Sequence, residues 1–186
     1  MYRYSFKTKN KVFLDNFSKK LCGRFRKGHF EGVLNVVNRL LEIIKPKYMF
    51  LGIKDYQQLA VIRRMVEDLC MPIQVTSAPI HRETDGLAMS SRNRYINDDE
   101  RPKVIILKDT LDWIASQIKG GNRNFSELEH IAAQQIEQVG FKVDYITCSN
   151  SKTLDLAAND DSDITILGAI FTESARLIDN VSVSGN

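Results

Sequence analysis

Tyr48-Met49-Phe50-Leu51-Gly52-Ile53-Lys54-Asp55-Tyr56-Gln57-Gln58 is the stretch that decides the fold. Pro46 and Gly52 bound a short apolar run, which reads as a buried parallel strand over Tyr48–Leu51. The polar loop Gly52–Gln58 follows, and a helix is predicted from Gln57 to about Leu69. Pro72 then opens a second predicted strand, Ile73–Ala78. Strand, loop, helix and strand in this order make a βαβ unit, hence a parallel sheet with a right-handed crossover. Ligands of open α/β sheets bind beyond the carboxyl ends of the strands. Gly52–Gln58 and the stretch after Ala78 are therefore expected to face one crevice.

Upstream, Cys22-Gly23-Arg24-Phe25-Arg26-Lys27-Gly28-His29-Phe30 reads as a basic loop between glycines. From Glu31 to Lys45, apolar residues at Val33, Val36, Val37, Leu40, Leu41 and Ile44 have amphipathic helical spacing, with Lys45 and Pro46 as the stop. A strand is predicted around Tyr2–Phe6. With no complete strand–helix unit before the basic loop, the first domain reads as incomplete.

Downstream, Asn97-Asp98-Asp99-Glu100 is an acidic first turn and Pro102 suits a first-turn position, so a helix is expected through Pro102 to about Ile118. Gly120-Gly121-Asn122 breaks it. A helix over Ser126–Val139, a strand over Phe141–Cys148, a short helix or turn at Thr153–Ala158 and a buried strand over Ile164–Ile170 follow, and Arg176–Asn180 closes the fold. A domain change is placed near residue 82, giving residues 1–81 and a small α+β unit over 82–186.

Composition narrows the function classes. The 186 residues are 43% hydrophobic and 26% charged, enough for a sizeable core. A net charge of +3 does not argue for general nucleic-acid binding, which would want a concentrated basic stripe. Cys22, Cys70 and Cys148 are far apart and odd in number, which reads as reduced thiols in the cytoplasm rather than a disulfide framework or zinc knuckle. No apolar run reaches membrane-spanning length, and no signal peptide is read at the amino terminus.

The chemistry concentrates in Asp85-Gly86-Leu87-Ala88-Met89-Ser90-Ser91-Arg92-Asn93-Arg94-Tyr95. A glycine turn leads to two hydroxyls and an arginine. Consecutive N–H groups in such a turn can hold an anion, hydroxyls add donors, and Arg92 offers a planar fork suited to phosphate. The same residues also fit an ordinary solvated turn before a helix. Lys54 could neutralise phosphate and Gln57 or Gln58 could orient a hydroxyl or carboxylate, though Lys54-Asp55 equally fits a surface turn. His29 beside Arg26 reads as an anion clamp or a solvated turn, and His81 and His130 read as structural or exposed. No metal-ligand spacing, nucleophile elbow or general acid/base pair stands out, which favours a site that works by positioning.

Four motifs in this order, Arg26-Lys27-Gly28-His29-Phe30-Glu31-Gly32-Val33, Gly52 to Gln58, Asp85 to Asn93 and Arg176-Leu177-Ile178-Asp179-Asn180, closely resemble the pantoate–β-alanine ligase (pantothenate synthetase) family, from about Leu21 onward. The resemblance implies an α/β fold: a Rossmann-like nucleotidylyl-transferase domain with a parallel sheet, here partial, that binds nucleotide and pantoate over residues 1–81. A C-terminal α+β lid over 82–186 would follow it. It implies that pantoate is activated with ATP and Mg2+ to a pantoyl adenylate, and that the amine of β-alanine attacks this to give pantothenate, on the route to coenzyme A. By resemblance, Ser90, Ser91, Arg92 and Lys54 are catalytic and hold ATP phosphates, Met89 frames the adenine pocket, and Gly52 and Asp55 contact the ribose. Gln58 would hydrogen-bond pantoate, and Arg26 and His29 would bind it too, from a basic loop near the pantoate and phosphate end of the site. The metal would arrive on ATP rather than on a protein site. A cytoplasmic homodimer is implied, with neither membrane nor nucleic acid as a partner.

Departures from the family pattern qualify this. The 186 residues hold no His-x-Gly-His pair, which in the family stabilises the phosphates in the transition state, and the first strands with the first pantoate-gripping Gln are not found either. Lys27 stands where Pro is usual, and Ile53 and Cys22 stand where Glu is usual. The sequence therefore reads as an N-terminally truncated ligase. The alternatives are a non-catalytic nucleotide-binding or interaction module, or one half of a split ligase complemented by a separate amino-terminal chain.

Overall fold

Helix α1, His29–Ile44, ends where the sequence stops it. Lys45 turns left-handed at φ 48° and its N–H closes on the Leu41 carbonyl, and Pro46 cannot continue the helix. The computed structural model describes residues 28–185. The strand expected at Tyr2–Phe6 and the basic loop up to Lys27, Arg26 included, lie outside the described residues. His29 and Phe30, read as the end of that loop, form the first turn of α1.

Strand β1, Tyr48–Gly52, pairs in parallel with β2, Gln74–Ala78, through helix α2, Tyr56–Asp68. This is the βαβ unit read from the sequence. Phe30, Leu34 and Leu41 of α1 pack with Val61, Ile62, Met65 and Val66 of α2, and Met49, Leu51 and Val75 of the sheet close the cluster. The apolar stripe of α1 is therefore narrower than its sequence suggests. The spacing puts Val36, Leu40 and Ile44 on the apolar face, but only Phe30, Leu34, Asn38 and Leu41 are buried. α1 carries more apolar surface than one packed side can cover.

The chain divides into two compact units between Pro79 and Ile80. In the second, α3 (Ile106–Lys119) and α4 (Phe125–Gln138) pack on an antiparallel sheet of β3 (Lys142–Asn150), β4 (Asp163–Phe171) and β5 (Arg176–Ser184), with β4 central. Residues 151–162, expected to hold a short helix or turn, form turns without a helix. Regular helix begins at Ile106, not around Pro102. Pro102 has no N–H to give, and residues 98–105 make mixed turns in which Lys103 and Val104 both donate to the Glu100 carbonyl. Arg176–Asn180, expected only to close the fold, opens strand β5, which runs on to Ser184. Among the described residues no helix is long and apolar enough to cross a membrane.

Two packing details can be tested. A Cβ on Gly168 of β4 would lie 2.7 Å from Leu107 Cδ1, 3.0 Å from Ile146 Cδ1 and 3.2 Å from Leu111 Cδ2, so α3 rests on the bare backbone there. Gly168→Ala is expected to cost about 1–3 kcal/mol, read by urea unfolding, because these buried neighbours cannot all retreat.

Glu129 of α4 accepts the Cys148 N–H of β3 at 2.7 Å. Burial pushes its carboxyl above the ordinary range, against the pull of its hydrogen bonds from Cys148. Burial, with the Glu129 charge beside it, pushes the Cys148 thiol up to about 12. A carboxyl that holds its proton more tightly when folded adds stability that is complete below its unfolded pKa and is lost as pH rises through the folded one. Glu129→Gln keeps an oxygen for the Cys148 N–H and has no proton to lose, so its stability relative to the parent is expected to rise as pH is raised above the ordinary carboxylate range, measured by denaturant midpoints.

Candidate functional site

In the first unit, β1 and β2 end level with each other, Gly52 opposite Ala78. The chain leaves β1 through a short 3₁₀ turn, Ile53–Asp55, straight into α2. Gly52, Lys54, Asp55 and Gln58 therefore share one strand-to-helix turn at the carboxyl end of the sheet. Gly52 has an ordinary extended backbone, φ −67° and ψ 130°, and a Cβ there would meet nothing within 4 Å. Neither strain nor packing requires glycine at this position, and the bare backbone leaves room for a ligand. Asp55 is exposed at the N-cap position of α2 without making a side-chain cap bond, while Lys54 and Gln58 are half-buried. Gln57 faces inward and is buried, which separates the two adjacent amides that the sequence left equivalent. His29 is half-buried at the start of α1, its ring 5.3 Å from that of Phe30 and tilted 52°.

In the second unit, a small hairpin leads to Ser90. Glu83 N–H donates to the Leu87 carbonyl, Met89 N–H to the His81 carbonyl, and Gly86 N–H to the Glu83 carbonyl. Asp85 Oδ1 accepts the Leu87 N–H at 3.0 Å. Gly86 turns the chain at φ 93°, a conformation that costs an L side chain roughly 1–2 kcal/mol. Leu87 and Ala88 are buried and anchor the hairpin, and Leu87 joins the core of the unit.

These bonds correct one expectation. The amides of Gly86, Leu87 and Met89 are all used inside the hairpin, so the glycine turn is not the anion-holding concavity. The unused donors lie further on. Among the described residues the Ser90 and Ser91 amides have no hydrogen-bond partner, and the Arg92 guanidinium makes no ion pair. Ser90 Oγ accepts the Arg92 N–H at 3.2 Å, which caps the 3₁₀ turn Ser91–Tyr95 and leaves the hydroxyl hydrogen to donate elsewhere. Met89, Ser91 and Arg92 are exposed and Ser90 half-buried.

Sequence reasoning missed the residues that hold this tip. Asn93 Nδ2 donates to the Ala88 carbonyl at 3.1 Å and to Glu83 Oε1 at 2.5 Å, so the two ends of Met89–Arg92 are tied together. Arg101 pairs with Glu83 at 2.6 Å and Asp85 at 2.7 Å. Arg82 forms a two-pronged pair with Asp179 of β5, at 2.6 and 3.0 Å, and also donates to the Gly86 carbonyl at 3.0 Å. The only sequence signal for Asp179 was its place in the Arg176–Asn180 motif. Its partner is 97 residues away, beyond the reach of local spacing. Among the described residues no group of three or more His, Cys, Asp or Glu could hold a metal ion. His81 and His130 are exposed.

A parallel βαβ unit with a polar turn at its carboxyl end, and an α+β unit carrying an exposed Ser-Ser-Arg tip, define an α/β protein whose loops present amide, hydroxyl and guanidinium donors. The family model for pantoate-beta-alanine ligase matches residues 1–182, and the chain belongs to that family. It is 53% identical over 184 residues to the pantothenate synthetase of Saccharophagus degradans, covering 99% of this chain and 65% of the relative. It is also 53% identical over 173 residues to that of Cellvibrio japonicus, covering 93% and 61%. A crystal structure of the Thermus thermophilus enzyme superposes with a TM-score of 0.89 at 35% identity, over 97% of this chain and 65% of that one. The Francisella tularensis ligase, described as complexed with beta-gamma ATP and beta-alanine, matches at TM-score 0.63 and 29% identity, over 95% and 57%. The chain thus spans 61–65% of the length of these two curated relatives.

Because the tip contributes no tertiary bond, Arg92→Ala is expected to leave stability within about 0.5 kcal/mol of the parent. Leu87→Ala, at the anchored base, is expected to cost about 2–5 kcal/mol. Thermal and urea unfolding of both variants measure the contrast.

Proposed function

We propose that these residues carry the ATP-gripping and pantoate-binding part of a pantoate–β-alanine ligase. The observation that carries the reading is the Ser90-Ser91-Arg92 tip. It holds two partnerless amides, two hydroxyls and an unpaired guanidinium on an anchored hairpin, within a chain of this family. In this reading ATP enters as its magnesium complex, with the metal on the phosphates. Arg92 and Lys54 offset phosphate charge while the hydroxyls of Ser90 and Ser91 donate to phosphate oxygens. Met89 frames the adenine, Gly52 and Asp55 meet the ribose, and Gln58, with Arg26 and His29, holds pantoate. The pantoate carboxylate attacks the α-phosphorus of ATP, pyrophosphate leaves, and the amine of β-alanine displaces AMP from the pantoyl adenylate. These residues act by holding reactants together and stabilising charge. The Francisella ligase, described with an ATP analogue and β-alanine, supports both as ligands here. With the reading come the resemblance's other implications: residues 1–81 as the binding domain, 82–186 as a lid, and a homodimer in the cytoplasm.

The missing His-x-Gly-His pair shapes the test. The purified 186-residue chain is expected to bind ATP and Mg2+ but to release little pyrophosphate with pantoate alone. Release is expected to appear when a separately made segment bearing that motif is added. Silence in both mixtures would favour a non-catalytic module. Arg92→Ala is expected to weaken ATP binding at least about tenfold, equivalent to ~1.4 kcal/mol, by titration calorimetry.

A further inference from the structure

We infer that Asp179, acting through Arg82, is a positioning residue for the phosphate-directed loop: it fixes the hairpin that presents Ser90, Ser91 and Arg92 to the rigid sheet of the second unit. The inference rests on reading that tip as the ATP-phosphate grip.

Asp179 sits in β5 opposite Gly168 of the central strand, and its side chain is 4% exposed. A buried carboxylate needs a partner, and Arg82 supplies a two-pronged one at 2.6 and 3.0 Å. Asp179 Oδ1 also accepts the Asn180 N–H at 2.8 Å, which fixes the carboxylate plane relative to its own strand. From that fixed carboxylate, Arg82 Nη1 reaches the Gly86 carbonyl at 3.0 Å. The path runs from sheet to carboxylate to guanidinium to turn, and only then to the tip.

The geometry suits a support for the loop. Arg82 is bridged to Ala88 across the hairpin, and Asn93 closes the far side on the Ala88 carbonyl. Met89–Arg92 is thus suspended between two held ends while its own amides at Ser90 and Ser91 stay unpartnered. Donors that wait for an anion are effective when their placement is settled before the anion arrives. Lysine could supply the charge at position 82 but not the fork that meets two carboxylate oxygens and a carbonyl together.

The test compares the parent chain with Arg82→Met/Asp179→Leu, a swap of a buried pair for apolar side chains that proteins often tolerate without loss of stability. Two readouts are taken: hydrogen exchange of the Glu83, Gly86, Leu87 and Met89 amides against those of β4, and the dissociation constant for ATP with Mg2+. The expected result is a loss of protection of at least about tenfold confined to the hairpin, with unchanged β4 amides and ATP binding weakened at least about tenfold. Arg82→Lys carries the same comparison should the double variant fail to fold. Unchanged hairpin protection overturns the inference, as does equal loss in β4 or unaltered ATP binding by a loosened hairpin. If the parent itself does not bind ATP, the phosphate-grip reading fails, and exchange confined to the hairpin still decides whether Asp179 holds the loop.

Discussion

A carboxylate withdrawn from water has to be met by a cation, and in the second unit this constraint ties the last strand to the first residues of the unit. Asp179 on β5 is buried, and the guanidinium that answers it belongs to Arg82, just past the point where the two units divide. The hairpin between Arg82 and Ala88 follows from that pairing, with Leu87 pressed into the core and Gly86 forced to turn. The Ser-Ser-Arg tip inherits its position from these contacts. A tip whose Ser90 and Ser91 amides have no partner among the described residues is placed by what lies on either side of it.

The base and tip of this loop divide buried packing and exposed donors between adjacent residues. Leu87 and Ala88 are buried, whereas Met89, Ser91 and Arg92 are exposed and the Ser90 and Ser91 amides have no partner. A binding surface needs unsatisfied donors, and a fold tolerates them only where water can reach. The exposed tip meets both conditions. The turn after β1 differs: a Cβ at Gly52 would meet nothing within 4 Å, and half-buried Lys54 and Gln58 follow in the same strand-to-helix turn.

Local pattern made the βαβ unit legible because each of its parts is announced nearby. Pro46 and Gly52 bracket β1, and Pro72 precedes β2. The start of α3 misled because Pro102 and its acidic neighbours imitate a helix opening, whereas the Asn97 side chain and the Glu100 carbonyl organise turns there. The exposed side of α1 was illegible for another reason. Periodicity counts apolar residues without knowing how many neighbours will cover them. At the candidate site, sequence picked out Ser90, Ser91 and Arg92 by residue type but assigned the available amides to the glycine turn, where internal bonds occupy them. Asp179 and Arg82 stayed hidden as a pair because nothing local in a sequence links residues so far apart.

The contrast between the cysteines gives the chain a built-in reporter. Cys148 is buried on β3 beside Glu129 of α4 with its thiol held neutral, so alkylating reagents in mild base find neither access nor thiolate. Cys70 stands in the open just after α2, at the foot of the crossover leading to β2. A dye or spin probe directed at thiols will, among the described residues, mark that corner of the first unit and leave the core of the second dark.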